Sequence, residues 1–369
     1  MTKAQHITLV VSTDLTYDQR MQRISTSLQK GGYQVLLVGR KRQSALPLSK
    51  AIYQQKRIGT IIEKGPIFYA LLNIRLFLFL LFKPTDIICA TDLDTVLAVA
   101  LVKKLRPKLK MVFDAHEFFT EVPELQERKS IQAIWTKIGT WSVPKADLAY
   151  TVGEELAKRF SKDYGIPFHT IRNMSVSKHG HHRTMDASCP ITLYYQGALN
   201  AGRGLEALIE AMVDLPDCVL QLAGEGDLSA ALKHQAHSLG VQDRVQFLGY
   251  VLPSALDQYL SKADLGLNLL ENNGLSYYYS LANKTFDYMQ FGLPALHMNF
   301  PEYRNLQEKC NCLYLLDELD VDTIVRTIRA ILTDPSSYAS HSTKSLEAAQ
   351  VLNWEQEEQE LLRLYNQLQ

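Results

Sequence analysis

Arg203 stands between two glycines in the stretch Tyr195-Gln196-Gly197-Ala198-Leu199-Asn200-Ala201-Gly202-Arg203-Gly204-Leu205, where an apolar run gives way to a helix start. Exposed amides at such a junction, with a guanidinium beside them, suit a diphosphate. The plain alternative is a surface arginine in a glycine loop. A second stretch, Ser280-Leu281-Ala282-Asn283-Lys284-Thr285-Phe286-Asp287-Tyr288-Met289, enters a helix that Gly292 ends before Pro294. Asn283 and Lys284 fall near the helix start, and Asp287 lies one turn on, on the same side as Asn283. Lys284 could meet phosphate, and the Asp287 carboxylate could accept from two vicinal hydroxyls of a ribose. A solvated Lys/Asp pair is the commoner fate of such residues. Gly224-Glu225-Gly226-Asp227 follows the run Leu220 to Ala223 and also opens a helix. Its third glycine is missing, with Ser229 in that place, so a tight turn is a better reading than a dinucleotide fingerprint.

Other polar residues follow apolar runs in the first half. Met111-Val112-Phe113-Asp114-Ala115-His116-Glu117 sets three ionisable groups at the end of a strand, the edge where open parallel sheets bind ligands. His116 could donate to a sugar hydroxyl or carry a proton. A metal held by Asp114, His116 and Glu117 is not expected, because alternate strand residues point to opposite faces. Asp14, Asp18 and Arg20 follow the first apolar run, although Asp18 could equally cap the next helix. His179, His181 and His182 lie in a polar stretch and read as solvated. Leu71 to Phe82 is almost wholly apolar but is interrupted by Asn73 and Arg75. It is read as too short to span a bilayer and as mostly buried. Its sharper reading is contact with an anionic membrane, supported by Lys103, Lys104, Arg106, Lys108 and Lys110.

The elements that would position these groups alternate. His6 to Val11, Tyr33 to Val38, Asp86 to Ala90, Lys110 to Phe113 and Ala146 to Val152 read as short buried strands, with helical stretches between. That rhythm predicts a parallel sheet covered by helices. It breaks at Asn173 to Pro190, read as a linker, and restarts at Thr192. Two Rossmann-like α/β domains follow, 1–172 and 191–350 around the linker 173–190, with a cleft between them. A final helix, 351–369, packs back on the first. The 369 residues are 46% hydrophobic and 21% charged, which excludes a disordered chain. No run is expected to span a membrane, and the first residues lack the apolar core of a signal peptide. Five scattered cysteines, Cys89, Cys189, Cys218, Cys310 and Cys312, fit reduced thiols and a cytoplasmic location. The formal charge of zero hides a split. Residues 1–178 hold 27 Lys and Arg against 15 Asp and Glu, and the remainder holds 12 against 24. A basic half suits an anionic partner, or simply complements the acidic half.

Taken in order, Asp18-Gln19-Arg20, Asp114-Ala115-His116-Glu117, Gly197-Ala198-Leu199, Gly224-Glu225-Gly226, Asn283-Lys284-Thr285-Phe286-Asp287-Tyr288, Gly292-Leu293-Pro294 and Asn353-Trp354-Glu355 resemble glycosyltransferase family 4, retaining enzymes of the GT-B fold, in a subfamily with an Asn-Lys motif. The resemblance implies that the second domain binds a UDP- or GDP-sugar through Gly197, Arg203, Gly204, Gly224, Glu225, Gly226, Asn283, Lys284 and Asp287. The first domain would take a glycan or lipid-linked acceptor near Asp14, Asp18, Arg20, Asp114 and Glu117. It also implies that Arg203 holds the diphosphate, that Asp287 replaces the second acid of the E-x7-E motif on the ribose, and that His116 faces the transferred sugar. No metal, no cofactor beyond the donor and no nucleic-acid partner are expected. The implied role is polysaccharide biosynthesis, at the inner face of the plasma membrane. Three departures stand out. Tyr279 occupies the place of the first acid, Ala198 replaces an arginine, and Ser12-Thr13-Asp14-Leu15 replaces a glycine-rich loop. The rival readings are a nucleotide-sugar epimerase of similar fold and a degenerate binding protein without turnover.

Overall fold

A computed structural model describes residues 4–42, 45–126, 128–185 and 190–368. Cys189, one of the thiols above, and Met1 to Lys3 lie outside the described residues. The chain forms two compact units, Met1–Asn173 with Glu357–Gln369, and Met174–Gln356. Each is a wholly parallel sheet of Rossmann type.

The first unit has seven strands: β1 His6–Val10, β2 Gln34–Lys41, β3 Gln54–Gly59, β4 Ile87–Thr91, β5 Lys110–Ala115, β6 Leu148–Thr151 and β7 Phe168–Thr170. Their order is β3-β2-β1-β4-β5-β6-β7, so the winding reverses between β1 and β4. Strands β1 and β4 are buried almost throughout, which is why they read as continuous apolar runs rather than alternating ones. Strands β3 and β7 escape that reading, because β3 (Gln-Gln-Lys-Arg-Ile-Gly) is an edge strand with one buried residue and β7 has three residues. Helices α1 Gln19–Lys30, α2 Gly65–Phe82, α3 Leu93–Leu105, the short α4 Pro123–Gln126 and α5 Lys129–Ser142 connect them. The last helix, Trp354–Asn366, closes this unit from Glu357 onward. Its Leu361, Leu364 and Tyr365 are fully buried, Tyr33 donates to Asn366 at 2.8 Å and Ser27 donates to Glu358 at 2.6 Å.

The second unit has six strands: β8 Ile191–Gln196, β9 Cys218–Ala223, β10 Val245–Gly249, β11 Leu265–Asn268, β12 Ala295–Met298 and β13 Leu313–Leu316. The order β10-β9-β8-β11-β12-β13 reverses between β8 and β11. Both reversals are the topological switch points where loops part and leave room for a ligand.

Two expectations need correction. The apolar run extends to the whole of α2, eighteen residues of mean hydropathy 1.9, long and apolar enough by composition to cross a membrane. It is also not mostly buried. Only Phe68, Leu72, Leu76 and Leu80, one helical ridge, are buried. The described part of the stretch read as a linker packs on the second unit from Met174 onward. Arg183 is buried there and donates to the carbonyls of Phe291 (3.1 Å), Leu260 (2.5 Å) and Ala263. Side-chain to backbone bonds hold this segment, and they leave no apolar period to read. His179, His181 and His182 are exposed.

Candidate active site

The switch point of the second unit gathers glycines and cations. After β8 the chain turns at Gly197, and after β9 at Gly224. The two loops are tied together by Gly197 N–H to Ala223 C=O (2.9 Å), Leu199 N–H to Glu225 C=O (3.2 Å) and Leu228 N–H to Leu199 C=O (2.9 Å). Gly224 is required by this approach, since a Cβ there would sit 1.8 Å from the Gly197 carbonyl oxygen. Gly204 has φ +66° at the start of the helix Leu205–Ala211, and a Cβ would strike the Leu269 carbonyl at 2.3 Å. Gly226 accepts no such addition either, and Ser229, in place of the third glycine, ties the loop by accepting from the Gly226 N–H (3.0 Å) and donating to Glu225 (2.6 Å). The turn is therefore structural, as its composition suggests.

Two cations face this junction, each backed by an aromatic ring. Lys284 Nζ lies 3.6 Å from the Tyr195 ring centre, and the Arg203 guanidinium carbon 4.8 Å from that of Tyr277. The Lys284 ammonium is also the group a Cβ on Gly197 would meet, at 3.3 Å. Neither cation forms a salt bridge with a described side chain, and the buried Arg203 Nε has no hydrogen-bond partner. Burial, with the Arg203 charge adding, lowers the Lys284 ammonium well below the ordinary lysine range, against the pull of Asp287. Two convergent cations without a carboxylate between them have the chemistry that suits an anion.

The helix Asn283–Gln290 that carries Lys284 is fixed from below. Tyr303 OH accepts from Ala282 N–H (3.1 Å) and from Asn268 Nδ2 (2.8 Å), joining the helix start to the end of β11. Thr285 pairs with the buried His297 at 3.0 Å, and burial pushes that imidazole down to about 3, so it stays neutral beside Lys284. Asn283 is exposed. Both Asp287 oxygens are engaged, one by Gln196 Nε2 at 2.6 Å and the other by Ser175 Oγ.

The switch point of the first unit holds a second constellation. Asp114, fully buried at the end of β5, takes Arg20 Nη2 at 2.9 Å and His116 Nε2 at 3.1 Å. Arg20 also donates to the Ile171 carbonyl at 3.0 Å. Burial works against the Asp114 charge, yet Arg20 and His116 hold its carboxyl below the usual range. Asp92 follows β4 with φ +55°, a left-handed conformation that costs of order 1–3 kcal/mol for a non-glycine residue. In return its carboxylate accepts the His116 backbone N–H at 2.7 Å and lies 3.7 Å from the ring Nδ1. Asp94 accepts from Ser12 Oγ. Burial opposes the charge on His116, but Asp114 and Asp92 outweigh it and raise its pKa to about 9. Burial lifts Asp92 to about 8 and Asp94 to about 6.

The candidates for the acceptor side are thus corrected. Arg20 and Asp114 are buried against each other and hold His116 in place. Asp18 caps α1, accepting from Met21 N–H at 3.0 Å. Asp14 is nearly buried and paired with Arg57 at 2.6 Å. Of the named residues in this unit, His116 keeps 23% of its side-chain surface and Glu117 is exposed. Asp92, Asp94 and Ser12 were not anticipated, although the rule that ligands meet strand ends points to Asp92 after Ile87 to Ala90. Among the described residues no group of three or more His, Cys, Asp or Glu side chains converges as metal ligands.

The raised pKa of His116 makes the folded state bind its proton more tightly than the unfolded chain. Its contribution to stability should be full below about pH 6.5 and be lost as pH rises through 9. Thermal unfolding across that range checks this, and His116→Gln should flatten the slope.

Two wholly parallel Rossmann-type units, with an aromatic-backed cation pair at one switch point and a histidine between carboxylates at the other, define a class of fold that binds ligands at its strand ends. The family description "Glycosyl transferases group 1" matches residues 187–347, and "Glycosyltransferase Family 4" matches residues 19–174. Together they span most of the chain, which belongs to the GT-B glycosyltransferases of the family 4 type. Comparison with curated proteins finds no match. Among solved structures, sucrose-phosphate synthase from Thermosynechococcus elongatus is similar over 99% of both chains, with 17% identity and TM-score 0.81. Anabaena HepE in complex with UDP and glucose is similar over 98% of this chain and 99% of its own, with 13% identity and TM-score 0.75. WaaG, a glycosyltransferase involved in lipopolysaccharide biosynthesis, is similar over 96% and 98%, with 13% identity and TM-score 0.71. The two parallel-sheet Rossmann-like domains of GT-B are as expected from the sequence.

Proposed function

We propose that the protein is a retaining hexosyltransferase that moves a sugar from a nucleoside diphosphate donor to a hydroxyl of a glycan or lipid-linked acceptor, in polysaccharide assembly on the cytoplasmic side of a membrane. The observation that carries this reading is the pair Arg203 and Lys284, two aromatic-backed cations without a carboxylate partner beside the Gly197 turn. Lys284 answers the departure at Ala198. The helix Asn283–Gln290 brings in the second positive charge that the loop itself lacks. The complexes of HepE with UDP and with UDP-glucose favour UDP as the nucleotide.

In this reading the bond between the anomeric carbon and the diphosphate oxygen breaks, and its electron pair leaves with the diphosphate. The acceptor oxygen bonds to the anomeric carbon on the same face, and its proton passes to the departing phosphate oxygen. The sugar passes through an oxocarbenium-like state. Arg203 and Lys284 are already in place for the charge that grows on the leaving group, so little reorganisation is needed. His116, held protonated with Nε2 on Asp114 at 3.1 Å, would donate its Nδ1–H, 3.7 Å from Asp92, to a sugar hydroxyl and orient the ring. Asp287 would reach a ribose by exchanging the Gln196 or Ser175 bond. Turnover is proposed to be unchanged by a chelator, because the two cations supply the neutralising charge.

Calorimetric titration with UDP and GDP tests the donor site. One nucleotide should bind, with affinity reduced about tenfold or more by Arg203→Ala, the usual scale for a charged hydrogen bond. Release of free nucleotide from a panel of donor sugars should then require an acceptor. Conversion of the sugar without acceptor would favour the epimerase, and binding without any turnover the degenerate protein.

A further inference from the structure

In the first unit α3 packs between α2 and α5 on one side of the sheet, and Tyr69 of α2 meets Trp135 of α5 edge to face at 5.4 Å. The ridge of α2 opposite its buried one is apolar and open. Ile67, Ile74, Leu78 and Phe82 are all more than half exposed, and Phe82 is 79% exposed. Leu105 of α3 and Trp141 of α5 are exposed as well. Scattered exposed apolar residues are ordinary, but a row of large ones along about four turns of one helix marks an interaction surface.

The charges on the same three helices decide what it meets. Neither α2 nor α5 contains an Asp or Glu, and the single acid of α3, Asp94, is buried. Arg75, Lys104, Lys129 and Lys137 are exposed on them, and Lys145 stacks 3.8 Å over the Trp141 ring. Not all of the basic cluster contributes. Lys103 is turned to Asp147 at 2.8 Å, and Arg106 is bonded to the carbonyls of Leu80, Lys83 and Thr85. A second copy of the chain pairing through this face would set lysine rows against each other. An anionic surface would not.

We propose that the outward face of α2, α3 and α5 docks on an anionic lipid bilayer. The α2 ridge would lie along the acyl boundary, Trp141 at the headgroup level and the lysines reaching lipid phosphates. This surface is independent of the donor chemistry proposed above.

Flotation of the full chain with vesicles tests it, using phosphatidylcholine alone and phosphatidylcholine with one-third phosphatidylglycerol. The protein should float with the anionic vesicles, less so at high salt, and only weakly with the neutral ones. Ile74→Glu with Leu78→Glu should abolish flotation. Lys104→Glu with Lys137→Glu should weaken it at least about tenfold, since each basic residue near such a surface contributes roughly 1 kcal/mol. Circular dichroism and thermal unfolding check that each variant folds. Should the first not fold, Phe82→Ser takes its place. Wild-type protein that stays below both vesicle types overturns the proposal, as does flotation that the folded variants leave unchanged. A dimer in light scattering that the Ile74/Leu78 variant dissociates, without flotation, gives the face to a second copy and also overturns it.

Discussion

Lys284→Met should lower kcat/KM for the sugar donor by about 10²–10³-fold while leaving the fold as stable as before, or more so. The first half follows from the site. Removing one preorganised charge from a developing anion typically costs about that much. The second half follows from burial. Lys284 is 8% exposed, its ammonium lies over Tyr195 and no salt bridge compensates it. An ammonium in that position weakens the free protein, and a methionine of similar length keeps the stem's contacts without the charge. Activity that falls while the melting temperature holds or rises marks a group kept for its ligand. Equal activity would remove Lys284 from the site. A linked measurement sharpens the point. The depressed pKa of Lys284 should climb when a diphosphate arrives, so in the pH range between its free and bound values nucleotide binding should take up a proton and weaken as pH rises. Titrations in buffers of different ionisation enthalpy read that proton directly, and Lys284→Met should abolish the uptake.

The other large effect is on stability. Asp114→Ala should cost the first unit about 3–5 kcal/mol, the range for breaking a buried ion pair from one side. It strands the guanidinium of Arg20, 4% exposed, which keeps the Ile171 carbonyl as an acceptor, and it removes the group that holds His116 Nε2. Trp135 and Trp141 lie in the first unit and Trp354 in the second, so fluorescence weighted to the former pair should shift first in denaturant. The double variant Arg20→Met, Asp114→Leu should recover most of the loss, since apolar replacements fill the volume without a stranded charge. A single variant as stable as the parent would show that the pair is not a structural anchor.

The parallel sheets were legible because β1, β4, β8 and β11 are short buried runs between helices. The glycine turns at Gly197 and Gly224 were legible because each stands after such a run. What escaped was what depends on distant partners. Tyr195 and Tyr277 read as ordinary aromatic residues, and only the folded chain puts them under Lys284 and Arg203. Asp92 acts through a backbone N–H twenty-four residues away and a left-handed turn that no local pattern announces. Arg20 was read as facing a ligand, since sequence position alone does not tell a buried ion pair from an open one. The α2 helix misled for the opposite reason: apolar composition implies burial only when there is enough neighbouring surface to cover it, and here one ridge suffices.

The return of Glu357–Gln369 to the first unit also fixes an order of events at the ribosome. The first unit begins to be synthesised before the second, but the helix that covers Tyr33 and Tyr150 emerges only after all of Met174–Gln356 has been made. The later unit can therefore complete its core first, and the earlier one waits, with an apolar strip open, until Glu357–Gln369 has been made.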